Sequence, residues 1–409
     1  MLRASPPRVP NFQGDRRRHY IGPVAITPPL EPRPVPSVLN LQSDDDPIDA
    51  IHRAVQALVE GKIVGVPTDT VYGLAASALS PGAVAAIYDL KGRDDSVPMA
   101  ISVGSVEAMA DFVCQFSPLA RRLAHRIMPG PITLITRCDD EQSAISQLSP
   151  SVRQRITGEG GGVGFRVIDD RVMSHLHRLL SAPLVLTSAN RSGDPAPTTA
   201  AGVMQSLGSH ATDDFALLLD DGPTRYGGAS TVVRVLDDKM EILRSGAIEP
   251  AAMEQFAKPL IAVVCTGNTC RSPMAAAMLR DKLHKAFGRD DAATVVSAGL
   301  AAGTGMPASA EAVEVMRARG LDLSDHASSP LSDDVLQTAD VILTLTRGHR
   351  RAILTAWPTL PDRVHTLRTD GGDVADPVGQ SQQVYQQCAE QIDTELDRWI
   401  ETWKGSLIQ

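Results

Sequence analysis

The sequence predicts an α/β protein with two folded domains. Short apolar strands alternate with helical stretches from about residue 46, which is typical of open α/β sheets. A second pattern of this kind begins at the apolar run 260–264, and the connector before it, residues 247–258, contains Pro250 and is followed by Pro259. The 409 residues are enough for two or three domains, and a hydrophobic content of 43% is enough for their cores.

We therefore divide the chain into four parts. These are a Pro/Arg-rich tail, a first α/β domain, a linker and a second α/β domain, at residues 1–45, 46–248, 249–258 and 259–409. The first forty residues hold nine prolines and six arginines, with few residues that could build a core, so we expect a disordered, partly polyproline tail. A solvated tail is the simpler interpretation of its basic patch, and contact with RNA is the alternative.

Composition argues against several functional classes. A net charge of −9 argues against a nucleic-acid binder held by a generally basic surface. The five cysteines have neither a pairwise pattern nor zinc spacing, which suits a reducing compartment, and we expect no resident metal site. No apolar run reaches the length of a membrane span, and the N-terminus lacks a secretory signal. We expect a cytoplasmic protein that does not bind a membrane.

The first domain has a regular succession of predicted elements. Residues 48–58 have helical spacing, Gly61 ends that helix, and residues 63–66 form a short strand. The glycine-rich stretch 158–164 matches no dinucleotide-binding fingerprint and is expected to be a flexible loop. Helical stretches lie between many of the later strands, which we place at 100–103, 132–136, 164–167, 184–186, 231–235 and 241–243. Together these elements predict an open, twisted α/β sheet.

The second domain opens with a segment suited to covalent phosphate chemistry. The apolar strand 260–264 is followed by Cys265, five loop residues and Arg271. Ser272 can cap the helix that follows, and Pro273 suits its first turn. The loop amides would converge at the positive end of the helix dipole, so a dianion fits there and the reactive thiolate of Cys265 is favoured. A lone cysteine six positions before an arginine is common, and the flanking strand and helix make this one informative.

From about residue 260 to residue 403, this segment resembles the low-molecular-weight protein phosphatase family. The resemblance implies a flavodoxin-like, doubly wound α/β domain with a four-stranded parallel sheet, acting on a phosphorylated protein without a cofactor. Cys265 matches the nucleophile, Arg271 the clamp on the phosphoryl group, and Asp376, held by Pro377 in extended geometry, the general acid. The expected phosphate-loop residues are Thr266, Gly267, Asn268, Thr269, Cys270 and Ser272.

The resemblance also assigns roles within the loop and bears on the substrate. Asn268 is expected to hold the shape of the loop, and Ser272 to stabilise the thiolate. Thr269 occupies a position where protein-arginine phosphatases of the family carry threonine, and residues 378–379 lack the aromatic side chain usual in phosphotyrosine-directed members. Both differences weaken phosphotyrosine, and we favour phosphoarginine. Cys270 would either form a protective disulfide with the nucleophile or fill space as a small buried residue.

Seven short motifs in the first domain carry its chemistry, and most of them follow or end apolar strands. They lie at residues 67–74, 91–93, 129–134, 165–167, 187–190, 228–231 and 243–246. In open α/β sheets, ligand-binding groups gather at such strand ends. Four cations, Lys91, Arg93, Arg166 and Arg244, lie among short hydroxyl-bearing loops, which suits a triphosphate and a carboxylate together. Unpaired cations in a cleft are costly, so the motifs indicate a polyanionic ligand.

The order of these motifs, over about residues 46–248, resembles the YrdC-like family of threonylcarbamoyl-AMP synthases. The resemblance implies that L-threonine, bicarbonate and ATP with Mg²⁺ give threonylcarbamoyl-AMP and pyrophosphate, and that the product serves N6-threonylcarbamoyl modification of adenosine in tRNA. It also makes tRNA or tRNA-modification proteins expected partners. The matching ATP contacts are Lys91, Arg93, Ser188, Asn190 and Arg244, and the matching threonine contacts are Thr70, Arg166 and Ser230.

Some positions depart from the YrdC-like pattern. Val97 stands where many members have asparagine before proline, Ser102 where longer members often have histidine, and Ser245 where proline is usual. No residue stands out as a general base. We expect a bifunctional enzyme, synthase plus phosphatase, and the alternative is an active phosphatase joined to a non-catalytic nucleotide- or RNA-binding module. The intact phosphatase residues argue against a scaffold in which neither site turns over.

Overall fold

The computed structural model describes residues 35–43, 47–113, 116–138, 141–237, 239–289, 292–405 and 407. It contains one sheet of ten strands and one of four strands, in that order along the chain. Successive residues of a strand point to opposite faces of the sheet and belong to separate apolar clusters. In the ten-stranded sheet, Ile63 lies in one cluster and Val64 in the other. Helices cover these faces, so the predicted fold class of two α/β domains is confirmed.

The first sheet is mixed, and its strands follow the order β1-β8-β2-β3-β7-β4-β6-β5-β9-β10. The strands are β1 (Ser37–Asn40), β2 (Ile63–Val66), β3 (Gly73–Ser77), β4 (Ala100–Ser102), β5 (Ile132–Arg137), β6 (Gly162–Arg166), β7 (Leu184–Ser188), β8 (Phe215–Asp220), β9 (Thr231–Leu236) and β10 (Lys239–Arg244). All seven strands predicted for this domain are present. The structure adds β1, β3 and β8, which the sequence did not predict.

The described residues form seven α-helices in or directly after this domain. They are α1 (Pro47–Val59), α2 (Pro81–Lys91), α3 (Pro118–Ile127), α4 (Pro150–Ile156), α5 (Arg171–Leu179), α6 (Ala200–Leu207) and α7 (Pro250–Ala257). Five of them begin with proline in the first turn, where the missing amide hydrogen costs nothing. The predicted helix at 48–58 is α1, and Gly61 after it has a positive φ, as expected for a stop signal.

The second sheet has four parallel strands in the order β12-β11-β13-β14. Its strands are β11 (Leu260–Cys265), β12 (Thr294–Gly299), β13 (Val341–Thr344) and β14 (Val364–Thr366), and its helices are α8 (Arg271–Phe287), α9 (Ala310–Ala318), α10 (Asp333–Thr338), α11 (Arg347–Ala356) and α12 (Gln382–Trp403). This arrangement confirms the predicted doubly wound, four-stranded parallel domain. The inner strand β11 ends at Cys265, so the cysteine lies where ligand-binding groups of such sheets gather.

Three segments differ from the sequence prediction. The predicted tail lies outside the described residues up to residue 34, but its described part contains β1, which pairs in parallel with β8. The predicted linker is the helix α7, whose Met253 is buried in the core of the first domain. The glycine-rich stretch predicted as a flexible loop forms a short 3₁₀ turn at Glu159–Gly161 and then β6. In each case, packing against neighbouring elements overrides a loop-like composition.

Two arginines of α3 connect the first domain to the second. Arg122 Nε lies 2.8 Å from Asp340 Oδ1, and Arg126 Nη2 lies 2.7 Å from Asp340 Oδ2. Arg126 also donates to the carbonyl of Lys258 at 2.6 Å, and the amide of Leu260 donates to Asp340 Oδ2 at 2.8 Å. These charged side chains are largely buried. Their pairing offsets the free-energy cost of removing each charge from water.

The sequence predicts no membrane-spanning segment and no metal site. Among the residues that the structure describes, every helix is too short or too polar to cross a bilayer. The histidine, cysteine and acidic side chains of the same residues also form no group of three or more suited to a metal ion.

We predict that Asp340→Ala lowers the free energy of unfolding by about 3 kcal/mol, because it leaves two buried guanidinium groups without their carboxylate. The measurement is urea unfolding of the full chain at neutral pH. Asp281→Ala, which breaks the more exposed Lys285–Asp281 pair within α8, is the matched control and is expected to change stability by less than about 1 kcal/mol. Equal effects of the two substitutions would contradict the role given to Asp340.

Candidate active sites in the two domains

The loop between β11 and α8 depends on Asn268. This residue is fully buried and has a φ of +54°, a left-handed conformation that asparagine tolerates better than most residues. Its Oδ1 accepts from the amide of Ser329 at 2.8 Å, and its Nδ2 donates to Ser272 Oγ and Ser297 Oγ, each at 2.9 Å. Its carbonyl lies 2.7 Å from His326 Nε2. Asn268 therefore connects the loop to Ser272, Ser297, His326 and Ser329, and its role in holding the shape of the loop stays a prediction.

The sulfur of Cys265 faces two hydrogen-bond donors. Its Sγ lies 3.0 Å from Ser272 Oγ and accepts from the Asn268 amide at 3.2 Å. The cysteine is 3% exposed, at the floor of the loop rather than on the surface. Donors of this kind stabilise a thiolate more than a neutral thiol. The loop residues predicted from the sequence therefore surround the sulfur with groups suited to a nucleophile.

The acidic residue predicted to serve this site is also in place. Arg271 forms an ion pair with Asp376 and donates to the carbonyl of Val374 at 3.2 Å. The arginine side chain is 6% exposed and the aspartate side chain 45%, so the carboxylate lies at the mouth of the site. Asp373, another acid of this loop, instead accepts from the amide of Arg347 at 2.7 Å. Asp376 thus contacts the arginine of the phosphate loop, whereas Asp373 does not.

Two residues near the loop were not predicted from the sequence. His349 Nε2 lies 2.8 Å from Thr266 Oγ1, and its buried Nδ1 has no hydrogen-bond partner within the described residues. Burial, followed by the nearby Arg271, lowers the pKa of His349. Tyr385 OH lies 3.3 Å from both Cys270 Sγ and Ser309 Oγ, and burial raises its pKa to about 12. All three contacts join residues more than 75 positions apart, which no local motif could indicate.

The neighbouring cysteines of the site are free thiols. Cys265 and Cys270 are both buried and unbridged, and Cys270 contacts Tyr385. A third thiol, Cys388 of α12, lies 3.8 Å from the carbonyl of Ala375, directly before the candidate acid. Burial raises the pKa of Cys388 to about 12, so this thiol is protonated at neutral pH.

In the first domain, the predicted residues gather around one cavity of about 350 Å³. Five of the predicted ligand contacts line it: Arg93, Arg166, Ser188, Ser230 and Arg244. Its polar wall also includes the hydroxyl groups of Thr68, Thr133 and Thr187 and the ion pair of Arg234 with Glu159, and Met99, Ile135 and Leu186 are among its apolar residues. A concave site with an apolar lining and a few converging cations is suited to a small anionic ligand. The remaining three predicted residues lie behind this wall.

Arg166 and Thr70 form a buried cluster at one end of the cavity. Arg166 Nη2 donates to Asp69 Oδ1 at 2.6 Å and to Thr70 Oγ1 at 3.0 Å. Thr68 Oγ1 lies 3.0 Å from Thr70 Oγ1. Thr70 therefore orients Arg166, while Arg166 lines the cavity itself. The Nε atom of Arg166 and Oδ2 of Asp69 are buried without hydrogen-bond partners among the described residues. Asp69, which lies inside a predicted motif, was not predicted as a site residue.

Lys91 and Asn190 support the cavity wall and do not line it. Lys91, at the end of α2, donates to the carbonyl of Ser188 and to that of Asn190 at 2.6 Å. Burial, followed by the charge of Arg93, lowers the pKa of Lys91 to about 7. The side-chain amide of Asn190 donates to the carbonyls of Arg191 at 2.9 Å and Asp194 at 2.6 Å. The structure therefore places both predicted ATP contacts behind the loop that carries Ser188.

Two further arginines of the cavity are held by main-chain carbonyls. Arg93 donates to the carbonyls of Val97 at 3.0 Å and Pro98 at 2.8 Å. Arg244 Nη2 donates to the carbonyl of Ser230 at 2.9 Å and to its hydroxyl at 3.1 Å. Such contacts fix the direction of each guanidinium while leaving its positive charge uncompensated. Burial lowers the pKa of Arg244, which nevertheless stays cationic at neutral pH.

The positions that depart from the YrdC-like pattern lie away from the cavity wall. Val97 is 46% exposed, and its carbonyl is one of the two that accept from Arg93. Ser102 is fully buried, and its hydroxyl lies 2.8 Å from His177 Nε2, a pair that the sequence did not reveal. Neither Val97 nor Ser102 lines the cavity. The departures therefore change the support of the site more than its surface.

Glycines allow the close approach of the segments around the cavity. A Cβ on Gly162 would lie 2.8 Å from a side-chain carbon of Ile135 in the adjacent strand. A Cβ on Gly246 would lie 2.4 Å from the carbonyl oxygen of Ala229 and 2.5 Å from the carbonyl carbon of Ser230. Gly246 therefore presses the segment after β10 against the loop that carries Ser230.

Comparison with known proteins agrees with this geometry. The family model described as "Telomere recombination" matches residues 56–246, and the model described as "Low molecular weight phosphotyrosine protein phosphatase" matches residues 260–407. A putative threonylcarbamoyl-AMP synthase of Mycobacterium tuberculosis is 32% identical over 207 residues, which are 51% of this chain and 87% of that protein. A protein-arginine-phosphatase of Geobacillus stearothermophilus is 38% identical over 146 residues, 34% of this chain and 93% of that protein.

The chain belongs to both families. Each domain matches one of them at 30% identity or more, over most of the relative's length. Some other synthase relatives are matched over a smaller share of their length. The match to the threonylcarbamoyl-AMP synthase of Bacillus subtilis, 34% identical over 218 residues, takes in 53% of this chain and 59% of that protein. The chain thus spans little more than half the length of that relative. The YrdC-like domain and the phosphatase-family domain are used below as names for the two parts.

We predict that Ser272→Ala slows alkylation of Cys265 by iodoacetamide at pH 7 by about tenfold. The substitution removes the hydroxyl next to the sulfur, and a hydrogen bond to a charged group contributes about 1.5 kcal/mol or more. Alkylation is followed by peptide mass spectrometry, which separates Cys265 from the other cysteines. Ser324→Ala, at an exposed turn of the same domain, is the control and should leave the rate unchanged. An unaltered rate in Ser272→Ala would count against a stabilised thiolate.

The next prediction concerns a half-buried histidine of the YrdC-like domain, His177. Burial lowers the pKa of His177 from 6.5 to about 4. Between these values the unfolded chain binds a proton that the folded protein does not, so stability falls as the pH drops through this window. Because His177→Gln removes this titration, the variant should lose about 1–2 kcal/mol less than wild type between pH 7 and pH 5.

This difference is measured by urea unfolding at both pH values. His175→Gln, which changes an exposed histidine of the same helix, is the control and should behave as wild type. The same pH dependence in wild type and His177→Gln would mean that His177 is not the titrating group.

Proposed function

We propose that the chain is a bifunctional enzyme, a threonylcarbamoyl-AMP synthase joined to a cysteine-dependent protein phosphatase. The phosphatase half is supported by one group of side chains at the β11–α8 loop. In it the candidate nucleophile Cys265 contacts Asn268 and Ser272, and Arg271 pairs with the candidate acid Asp376. The synthase half is supported by the cavity in which Arg93, Arg166 and Arg244 converge with hydroxyl groups. Membership of the two families supports both halves.

In the phosphatase reaction, the thiolate of Cys265 attacks the phosphorus atom and forms a sulfur–phosphorus bond. The bond from phosphorus to the substrate breaks, and the leaving atom takes a proton from Asp376. Water then attacks the phosphocysteine and gives up a proton to the same carboxylate, which releases phosphate and restores the thiolate. Arg271, fixed by the carbonyl of Val374, neutralises charge on the phosphoryl oxygens.

We favour phosphoarginine over phosphotyrosine as the substrate. Thr269 is partly buried on the phosphate loop, at the position where protein-arginine phosphatases of the family carry threonine. Val378, after Asp376 and Pro377, is 60% exposed and offers no aromatic face against which a phosphotyrosine ring could pack. The nitrogen leaving group of phosphoarginine needs protonation as the phosphorus–nitrogen bond breaks, a task within reach of Asp376 at the mouth of the site.

In the synthase reaction, we place threonine at the Arg166 end of the cavity. The buried Nε of Arg166 has no hydrogen-bond partner among the described residues, and a ligand carboxylate would satisfy it. The opposite group of cations, Arg93 and Arg244, is suited to the phosphates of ATP. Ser230 lies between Thr133 and Arg244, within hydrogen-bond distance of both, where it can bind the amino acid.

The chemistry then depends on placement and charge. The threonine amine attacks carbon dioxide or bicarbonate, and the resulting carbamate oxygen attacks the α-phosphorus of ATP while pyrophosphate leaves. The fixed guanidinium groups of Arg93 and Arg244 would neutralise the negative charge of the leaving group. Because the described residues offer no cluster of metal ligands, Mg²⁺ would be held mainly by the phosphates and by water. The product would serve tRNA modification.

One crossed experiment tests both halves. Full-length wild type, Cys265→Ser and Arg93→Gln are assayed for threonine-dependent pyrophosphate release from ATP and bicarbonate, and for hydrolysis of p-nitrophenyl phosphate. We expect Cys265→Ser to lose phosphatase turnover by about a thousandfold or more and to keep pyrophosphate release, because it removes only the nucleophile. We expect Arg93→Gln to lose pyrophosphate release by about a hundredfold and to keep phosphatase turnover.

The outcomes separate the competing interpretations. Loss of both activities in Cys265→Ser would contradict independent sites. Phosphatase turnover without any threonine-dependent pyrophosphate release in wild type would favour the alternative, an active phosphatase with a non-catalytic nucleotide- or RNA-binding module. Matched phosphoarginine and phosphotyrosine peptides then decide the substrate of the second site, and faster hydrolysis of phosphotyrosine would overturn our preference.

A further inference from the structure

A basic groove lies beside the phosphatase site. It has a volume of about 780 Å³ and runs between α11, the edge strand β14 and the second half of α12. Its cationic residues are Arg347, Arg350, Arg351 and Arg368. Neither the sequence motifs nor the reaction proposed above uses any of these four arginines. We call this feature the arginine groove.

The arginine groove adjoins the loop that carries the candidate acid. The amide of Arg347 donates to Asp373 Oδ1 at 2.7 Å, and its side chain pairs with the same atom at 3.3 Å. From the other side, Arg368 Nη1 donates to the carbonyl of Asp373 at 3.2 Å. The next residue, Val374, provides the carbonyl that holds Arg271. A ligand in the groove would therefore lie next to a phosphorylated residue bound at Cys265.

The groove is suited to carboxylates. Arg368 already binds both oxygens of Asp370, through Nε at 3.1 Å and Nη2 at 2.5 Å, in the forked geometry that guanidinium groups form with carboxylates. Arg347 pairs with Asp373 but its side chain is 71% exposed. Arg351 is exposed on α11, and its guanidinium group has no hydrogen-bond or ion-pair partner among the described residues. The groove thus offers positive charge to a further acidic group.

The aromatic residue of the groove argues against nucleic acid as the ligand. Trp399 contacts two neighbouring rings, those of His365, with centroids 5.3 Å apart, and of Trp403, with centroids 5.6 Å apart. Its indole nitrogen donates to the carbonyl of Leu367 at 2.7 Å. These contacts occupy part of the indole ring and leave less of it for base stacking, which supplies much of the affinity for single strands. The net charge of −9 also opposes a polynucleotide.

We propose that the arginine groove binds acidic side chains that flank the phosphorylated residue of a protein substrate. The proposal rests on the proposed phosphatase function and adds a preference for sequence context. An extended peptide bound at the phosphate loop passes the loop at 373–376 and then meets Arg347. Aspartate or glutamate residues a few positions from the phosphorylated residue would pair with the arginines there, while the phosphate loop holds the phosphoryl group.

The test compares two phosphopeptides that differ only in their flanks. One carries aspartate at three positions on each side of the phosphorylated residue and the other carries asparagine, each made in phosphotyrosine and phosphoarginine versions. Binding to full-length Cys265→Ser is measured by fluorescence anisotropy, and kcat/KM is measured with the wild-type chain. We expect the aspartate peptides to bind about tenfold more tightly at 0.1 M salt, an advantage that disappears at 1 M salt because exposed pairs are screened.

A matched pair of variants locates the effect. Arg351→Gln should weaken binding of the aspartate peptides by about threefold and leave the asparagine peptides unchanged. Arg317→Gln, which removes an exposed arginine of α9 outside the groove, is the control and should alter neither. Hydrolysis of p-nitrophenyl phosphate, which is too small to reach the groove, should be the same in both variants.

The results distinguish this inference from the proposed function. If wild type fails to hydrolyse p-nitrophenyl phosphate, the phosphatase function is wrong, whatever the peptides do. Equal binding of aspartate and asparagine peptides would overturn the groove proposal even if the phosphatase is active. Arg351-dependent competition by a single-stranded RNA oligonucleotide, without a preference for aspartate, would overturn it in favour of a nucleic-acid surface.

Discussion

The arrangement of the two domains depends on one carboxylate. Asp340 accepts from Arg122 and Arg126 of the YrdC-like domain and from the amide of Leu260, the first residue of β11. The other end of that strand is Cys265, so the strand that presents the nucleophile is tied to the first domain at its opposite end. Buried charge pairs tolerate little displacement, because any gap leaves a desolvated charge without compensation. The two domains are therefore fixed in orientation at this point.

Three cationic side chains of the YrdC-like domain donate hydrogen bonds to main-chain carbonyls. Lys91 holds the carbonyls at 188 and 190, Arg93 those at 97 and 98, and Arg244 that at 230. A carbonyl orients the cation without neutralising it. The positive charge of the cavity is thus positioned before any ligand binds, which reduces the reorganisation that an anionic substrate would require.

The parts of the molecule that were predictable from sequence are those encoded locally. The strand, cysteine loop and helix of the phosphatase-family domain lie within one short segment, and apolar runs indicated most of the strands. The strand β1 was missed because proline-rich composition masked a four-residue strand that is stable only when paired with β8. Tyr385 and His177 were missed because their partners, Cys270 and Ser102, lie 115 and 75 positions away and no pattern in the chain connects them.

The segment between the domains bears on whether the two sites can influence each other. Its first part is held against the Ser230 loop by the tight approach of Gly246, and its last part, the end of α7, is capped by Arg126. A shift of the Ser230 loop that passed along this segment would have to move α7 against the contacts around Asp340. Coupling between sites requires an element with two arrangements of similar energy, and a helix held by buried charge at one end and by packing at the other is not such an element. This connection therefore favours a synthase site and a phosphatase site that act independently of each other.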